Sequence, residues 1–397
     1  MTTEPLFSIC VPSRDRFETA SRSIRSILDQ SFQDFEILVS DNSVREKGQL
    51  QAWLSELGPE RHKVRITETG GTLEMDENWE ACSLPAKGRY VLFMADRWLM
   101  RPGVLALLAG VVEQTDPDIF FWPGQKFDHI QKTHCGTGGP PPIHCVVERS
   151  DEVLAEFLQF RGFETSNVYG QPIPRALNSG YRRELSTRAR EIWGELFRPI
   201  SPDYTSAIAL LLLADRCVRI DEMMYHPIGN KSNFSATTIN GLGHYKEKWP
   251  GCEKWRGLEI DVVFPTVLND IERTLEKWPQ RETWLARFNI ENALKCVMWE
   301  LHFKEFNGSL LDTEQMRRDV YAFAKTTGLE DRQIQNIRDY DRSKRHRFVS
   351  LRKLLRACGL YDKVRHLNNV IRHRKRMKMR ERIYTQSDVM QREIRFS

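Results

Sequence analysis

Phe7 to Arg16 reads FSICVPSRDR, a short apolar run closed by a proline and followed by a cluster of charged residues. The β-branched content and the length of Phe7 to Val11 predict a buried strand, and Pro12, which has no N–H for a ladder, marks its end. Phe17, Ala20, Ile24, Ile27 and Leu28 then recur at helical spacing, with Asp15 placed to cap the helix start. The pattern repeats outward. FEILV (Phe35 to Val39) predicts a second buried strand ending in SDNS. A polar helix, a strand KVRIT (Lys63 to Thr67) and a helix around Asn78 and Trp79 follow. Next come a strand RYVLFMA (Arg89 to Ala95), a helix opened by Pro102 and a strand DIFFW (Asp118 to Trp122). This alternation predicts an α/β fold, a mostly parallel sheet with helices on both faces. Ligands of such sheets bind beyond the carboxyl ends of the strands. Three polar clusters fall at such ends: PSRDR (12–16), SDNS (40–43) and ADRW (95–98). Short connections bring them to one crevice.

A chain of 397 residues predicts two domains or three, and 40% hydrophobic with 28% charged residues excludes a disordered chain. The longest apolar runs, Ala207 to Ala214 and Val104 to Val112, are too short for a membrane helix, which needs about 20 residues. MTTEPLFSIC lacks the basic-then-apolar pattern of a secretory signal. Eight scattered cysteines without a CxxC pair predict a reducing cytoplasm. HCGTGGPPPIHC, with His134, Cys135, His144 and Cys145, has zinc-type residues at a spacing that matches no common site; a loop between strands is the favoured reading. No Gly-rich phosphate loop occurs, which disfavours kinase and dehydrogenase readings.

Taken in order, SICVPSRDR, FEILVSDNS and ENWEACSLPAKGRYVLFMADRWLMRPG resemble the nucleotide-sugar-binding half of family 2 glycosyltransferases of the GT-A fold, over about Phe7 to Ser235. The resemblance implies an inverting enzyme that uses a nucleotide-sugar donor, a UDP-sugar first among the options. It further implies Pro12, Ser13 and Asp41 as donor-binding residues, with Asn78 beside them. The family's Asp-x-Asp motif would fall at Ala95-Asp96-Arg97, so Asp96 stands alone and a cation takes the place of the carboxylate that normally lies closest to the metal. Arg97 is therefore expected to do some or all of the metal's work at the diphosphate, because a guanidinium binds phosphate oxygens bidentately, while Asp96 is expected to bind the donor by contacting ribose or to retain weak metal binding. A Mg or Mn ion on Asp96 and His226 is the rival reading, and a catalytically silent GT-A-like binding or scaffolding subunit is the alternative for the whole chain.

In SPDY, ahead of a strongly apolar helix, Asp203 matches the family's catalytic base. An ordinary helix start explains the same residues, and a helix N-terminus favours the ionised carboxylate, lowering its pKa. The Gly/Ser/Asn-rich stretch Pro227 to His244 suits a lid through which Lys231 and Ser232 would reach the phosphates. From His244 the chain reads as helices, with tryptophans in core positions. The expected division is a GT-A domain at 1–240, a helical domain at 241–330 and a basic helical segment at 331–397. That last segment holds 20 Lys and Arg against 7 Asp and Glu, so the first 330 residues, with 39 against 47, are acidic. Such a segment fits an anionic membrane surface better than nucleic acid, for which no recognition module is visible. These features predict a cytoplasmic protein, peripheral at the inner membrane face, working on a saccharide or lipid-linked acceptor in surface polysaccharide or glycan assembly.

Overall fold

The structure, a computed structural model, describes residues 4–122, 143–161, 173–222, 224–228, 243–252, 254–307, 313–358 and 392–394. Phe7, Ile9 and Val11 of the first strand, β1 (Phe7–Ser13), pack into one apolar cluster, and Cys10 packs into a second on the opposite face. All four are fully buried, as a strand covered by helices on both sides requires. β2 (Phe35–Asp41) runs parallel to β1 and aligns Cys10 with Leu38 and Ser13 with Asp41. β3 (Val64–Glu68) extends that edge in parallel. β4 (Tyr90–Phe93) flanks β1 on its other side, with Phe93 level with Cys10. Asp96, three residues beyond Phe93, therefore arrives level with Ser13.

Beyond β4 lie β8 (Ser179–Arg182), β6 (Ile119–Phe121), β9 (Arg216–Ile220), β7 (Ile143–Arg149) and a short strand at Arg392–Ile394. β8 is antiparallel to both β4 and β6, and β7 is antiparallel to β9. The expected parallel sheet is thus interrupted by two reversed strands. A separate antiparallel pair joins β5 (Trp98–Met100) to β10 (Tyr225–Pro227).

Helices α1 (Phe17–Leu28), α2 (Gln49–Glu56) and α4 (Val104–Thr115) cover the Ile9 and Val11 face. On the other face lie α3 (Met75–Ser83), α5 (Ser150–Phe157), α6 (Arg183–Trp193) and α7 (Pro202–Leu213). The helical C-terminal region adds Phe264, Leu268, Leu294, Val320 and Ile337 to the same cluster that holds Phe93 and the α7 residues Ile208 and Leu211. One core therefore runs from the sheet through α7 into the C-terminal helices. Trp255 is fully buried there, and Trp278 stacks on Trp193 with centroids 6.0 Å apart. Among the described residues no helix is long and apolar enough to cross a membrane, and the described cysteines are free thiols.

Asp15 does not cap α1. It takes a positive φ of 51°, and its Oδ1 accepts the backbone N–H groups of Val44, Arg45 and Glu46 at 2.9, 2.8 and 3.3 Å. Glu46 returns the contact by accepting the Phe17 N–H at 2.6 Å, so the loops after β1 and β2 lock each other.

Close approach of β1 and β4 depends on Gly88. Its N–H donates to Ser8 Oγ at 2.7 Å, and an added Cβ would lie 2.4 Å from Ser8 N and 2.6 Å from the Phe7 carbonyl carbon. Gly88→Ala is therefore expected to destabilise the protein by about 1–3 kcal/mol. Gly58→Ala, whose Cβ would meet nothing within 4 Å, should change stability by only about 0.5 kcal/mol either way. Urea unfolding of the two variants checks the contrast.

Candidate functional site

The carboxyl ends of β1 and β4 meet at a buried polar knot. Asp96, 2% exposed, accepts Ser13 Oγ at 3.0 Å and receives the Arg16 guanidinium at 3.2 Å from both of its oxygens. Ser13 is itself buried, and its carbonyl accepts the Asn42 N–H at 2.9 Å, which ties the end of β2 to the same point. Pro12, opposite Ser40 in the register, is half-buried at the rim of this edge.

Asp41 ends β2 with 2% of its surface exposed. Its Oδ1 accepts the Ser43 N–H at 3.1 Å, but Oδ2 is buried and has no hydrogen-bond partner among the described residues. Desolvation raises the proton affinity of this carboxyl against the opposing hydrogen bonds from Ser43. Asn78, on α3, is almost fully buried. Its Oδ1 accepts Ser40 Oγ at 2.6 Å and its amide donates to the Ser13 carbonyl at 3.4 Å, so it braces the ends of β1 and β2 from behind.

Arg97 follows Asp96 and is half-buried. Its guanidinium makes no hydrogen bond or ion pair among the described residues, while its carbonyl accepts the Ile228 N–H at 2.7 Å. Desolvation and the like charge of Arg16 pull its pKa down, opposed by Asp96. His226 lies opposite Leu99 in the β5–β10 pair and is exposed; desolvation and Arg101 lower its pKa below the ordinary imidazole value. Among the described residues no group of three or more His, Cys, Asp or Glu side chains stands close enough to hold a metal ion. Asp96 is already neutralised by Arg16, so the residues present do not fit a divalent cation.

Asp203 stands in the first turn of α7, with 31% of its side chain exposed and Oδ2 3.9 Å from Arg175 Nη1. The same guanidinium atom donates to Tyr204 Oη at 3.2 Å. Arg175 precedes the short turn Ala176–Asn178 that leads into β8, and the Asn178 carbonyl accepts the N–H of Trp122 at the end of β6. Because β8 is antiparallel to β4, its start and the preceding Arg175 lie at the carboxyl edge of the sheet, and Asp203 lies there with them. Desolvation in this recess raises the pKa of Asp203, outweighing Arg175 and the backbone N–H groups of the helix start. The lowering expected from a helix N-terminus is therefore overturned by crowding around the carboxylate.

Two contacts fix the loop that delivers Asp203. Glu80, on α3, accepts the N–H groups of Leu196 and Phe197 at 3.2 Å each, and Phe197 packs against Phe93 at 4.8 Å and Trp79 at 5.7 Å. From the helix Val263–Glu276, Asp270 Oδ2 accepts the N–H groups of Ile200 and Ser201 at 2.8 and 2.9 Å and the Ser201 hydroxyl at 2.5 Å. Burial pushes the Asp270 pKa up to about 6, against those three donors.

Sequence spacing did not single out Arg16, Arg175 or Asp270. Asp270 had a signal, since it interrupts the apolar face made by Val267, Ile271 and Leu275. Arg16 lay within PSRDR but has no local mark to separate it from Arg14, whose side chain instead reaches the carbonyls of Leu73 and Gly71. Lys231 and Ser232 lie outside the described residues, as do His134 and Cys135; Cys145 is a buried thiol on β7.

Residues 8–129 match the family model described as Glycosyl transferase family 2, a shorter span than the resemblance read from the sequence. No curated protein matches the chain in sequence. Among solved structures, the chain is similar to S. aureus TarS 1-349 in complex with UDP-GlcNAc, at 12% identity and a TM-score of 0.46, covering 85% of this chain and 91% of that one. Against longer S. aureus TarS the figures are 13% and 0.41, and the chain spans only 53% of its length. The mannosyltransferase PcManGT from Pyrobaculum calidifontis, in complex with GDP-Man and Mn2+, matches at 14% identity and a TM-score of 0.42, with 86% of each chain covered.

Asp270→Ala leaves two backbone N–H groups and one hydroxyl without their acceptor and should destabilise by about 2–4 kcal/mol at neutral pH. Asp270→Asn, which keeps an acceptor oxygen, should lose less. The sign with pH follows from the raised folded value. Ionising Asp270 weakens the native state as pH rises from its unfolded value, near 4, through about 6. Urea unfolding at pH 5 and pH 7.5 checks both points, and the difference between the two pH values should shrink in Asp270→Asn.

Proposed function

We propose that this chain, whose residues 8–129 match the family model described as Glycosyl transferase family 2, moves a sugar from a nucleotide-sugar donor to a hydroxyl of a saccharide or lipid-linked acceptor, with inversion at the anomeric carbon. One observation carries the reading. At a single edge of the sheet, a buried carboxylate oxygen without a partner, Asp41 Oδ2, accompanies a half-buried guanidinium without a partner among the described residues, Arg97. A nucleoside diphosphate complements both, because its base and ribose carry N–H and O–H donors and its phosphates carry negative charge.

Inverting transfer needs a base on the acceptor side and a cation on the leaving diphosphate. Asp203 serves as the base. Its carboxylate takes the acceptor hydroxyl proton as that oxygen bonds to the anomeric carbon, and the bond from this carbon to the phosphate oxygen breaks. The electron pair leaves with the diphosphate, where Arg97 stabilises it. The raised proton affinity of Asp203 suits this role, since a base works best when its pKa approaches the operating pH. Lys231 and Ser232 belong to the same proposal as further phosphate contacts, and a UDP-sugar is the first donor to test. Surface polysaccharide or glycan assembly is the setting that such a transferase fits.

Asp203→Asn should lower kcat by roughly a hundredfold to ten-thousandfold while leaving UDP or GDP binding unchanged in calorimetry. In the wild type, transfer should fall as pH drops through the raised Asp203 pKa, so the acid limb should lie above the ordinary aspartate value of about 3.9. An active Asp203→Asn enzyme would remove the base from the mechanism.

The basic segment 331–397 begins with the helix Asp331–Ala357, whose start is anchored in the core through Ile334, Ile337 and Tyr340, and we assign the basic residues that follow to the anionic surface of the cytoplasmic leaflet. Co-sedimentation should recover the protein with vesicles containing phosphatidylserine and not with phosphatidylcholine alone; equal recovery would contradict the assignment.

A further inference from the structure

We infer that Arg16 and Arg97 together clamp the donor diphosphate in place of a divalent cation, and that Asp96 holds Arg16 rather than ligating a metal. The inference rests on the nucleotide-sugar reading and defines the chemistry of its phosphate subsite.

The lone pairs of Asp96 are already directed. Both oxygens lie 3.2 Å from one Arg16 nitrogen, Nη1, and Oδ2 also takes the Ser13 hydroxyl at 3.0 Å. The carboxylate side chain is only 3% exposed, whereas Arg16 is 40% exposed. Arg16 is thus pinned at one nitrogen, and among the described residues its Nη2 and Nε have no partner. A fork held in that way presents its remaining donors in a fixed plane, the arrangement that suits phosphate oxygens.

Arg97, next to Asp96 in the chain, brings a second guanidinium close enough for the charge of Arg16 to pull down its pKa, opposed by Asp96. Among Arg16, Arg97 and Asp96 the balance is therefore positive before anything binds. A divalent cation would enlarge that excess next to two guanidinium groups, and His226 would be its sole imidazole ligand, without a third side chain to complete a site among the described residues. A diphosphate reverses the imbalance. Its negative charges supply the counter-charge that half-buried Arg97 lacks, which relieves a desolvated cation that is otherwise costly to keep. Ala95 and Arg97 stand at the two carboxylate positions of the family's motif, and the carboxylate between them, Asp96, is engaged by Arg16. Together they remove a metal site and build an anion site in the same place.

Calorimetry with UDP, GDP and uridine tests the clamp on the full chain, once in EDTA and once with manganese. Diphosphate affinity is expected to agree within about twofold between the two buffers. Arg97→Gln, which removes no contact among the described residues, should weaken UDP and GDP binding roughly ten- to a hundredfold and leave uridine binding unchanged. Arg16→Gln should do the same, and circular dichroism melting confirms that each variant is folded. Should Arg16→Gln fail to fold, Arg97→Gln decides alone. Diphosphate binding that vanishes in EDTA and returns with manganese would overturn the clamp while leaving the nucleotide reading intact. Undiminished UDP affinity in folded Arg97→Gln would also overturn it. Absence of binding by UDP and GDP in both buffers would overturn the nucleotide reading and the clamp with it.

Discussion

The buried Asp96 carboxylate is the contact on which the upper edge of the sheet depends. It sits where β4 has ended, but at the level where β1 still runs, and it draws in Ser13 from that strand and Arg16 from the entry to α1. Removing Arg16 would leave the Asp96 charge unpaired in a nearly solvent-free position, a penalty of several kcal/mol. The pairing therefore fixes how the PSRDR and ADRW loops face each other. Around it, the exchange between Asp15 and the loop of residues 44–46, and that between Glu46 and Phe17, hold the SDNS loop in register. Each loop is thus tied to its neighbour, by backbone donors at Asp15 and Glu46 and by the Arg16 side chain at Asp96.

The Ser13–Ser40 edge and the loop that delivers Asp203 are joined by consecutive residues of one helix. On α3, Asn78 braces Ser13 and Ser40, Trp79 packs on Phe93 and Phe197, and Glu80 caps the loop leading to Asp203. From the other side the C-terminal helical region contributes Asp270, which grips Ser201 just ahead of Asp203. That region thus helps to set the position of Asp203. Desolvation acts on the site in one sense throughout. It raises the pKa of Asp41, Asp203 and Asp270 and lowers that of Arg97. Each of these groups is held away from its most comfortable state, and on the proposed reading a nucleoside diphosphate would supply the stabilisation that Asp41 and Arg97 lack.

Much of this was legible from the chain. The strands at 7–13, 35–41 and 90–93 follow from apolar runs flanked by polar punctuation, and the convergence of their carboxyl ends follows from parallel pairing through short connections. The reversed strands β7 and β8 were not legible, because strand direction is set by pairing partners far away in the chain and leaves no trace in local periodicity. The same limit explains Arg16, whose ion pair spans 80 residues, and Arg175, whose neighbour Tyr204 lies 29 residues on. Asp15 was misplaced for a different reason. An aspartate just before a helix is a good cap on local grounds, yet the neighbouring loop offered it three N–H donors and won. For Asp203 the local helix-end argument gave the wrong sign of pKa shift, since burial is a property of the assembled fold and not of the helix.

Co-crystallisation with UDP in the presence of manganese puts the central claim to the most direct test. The phosphates are expected against the guanidinium groups of Arg16 and Arg97, uracil or ribose within hydrogen-bonding distance of Asp41 Oδ2, and Asp203 facing the outer phosphate across an open space sized for a sugar. A manganese ion seated between Asp96 and the phosphates with Arg16 swung aside, or a nucleotide bound away from the carboxyl edge, would contradict it.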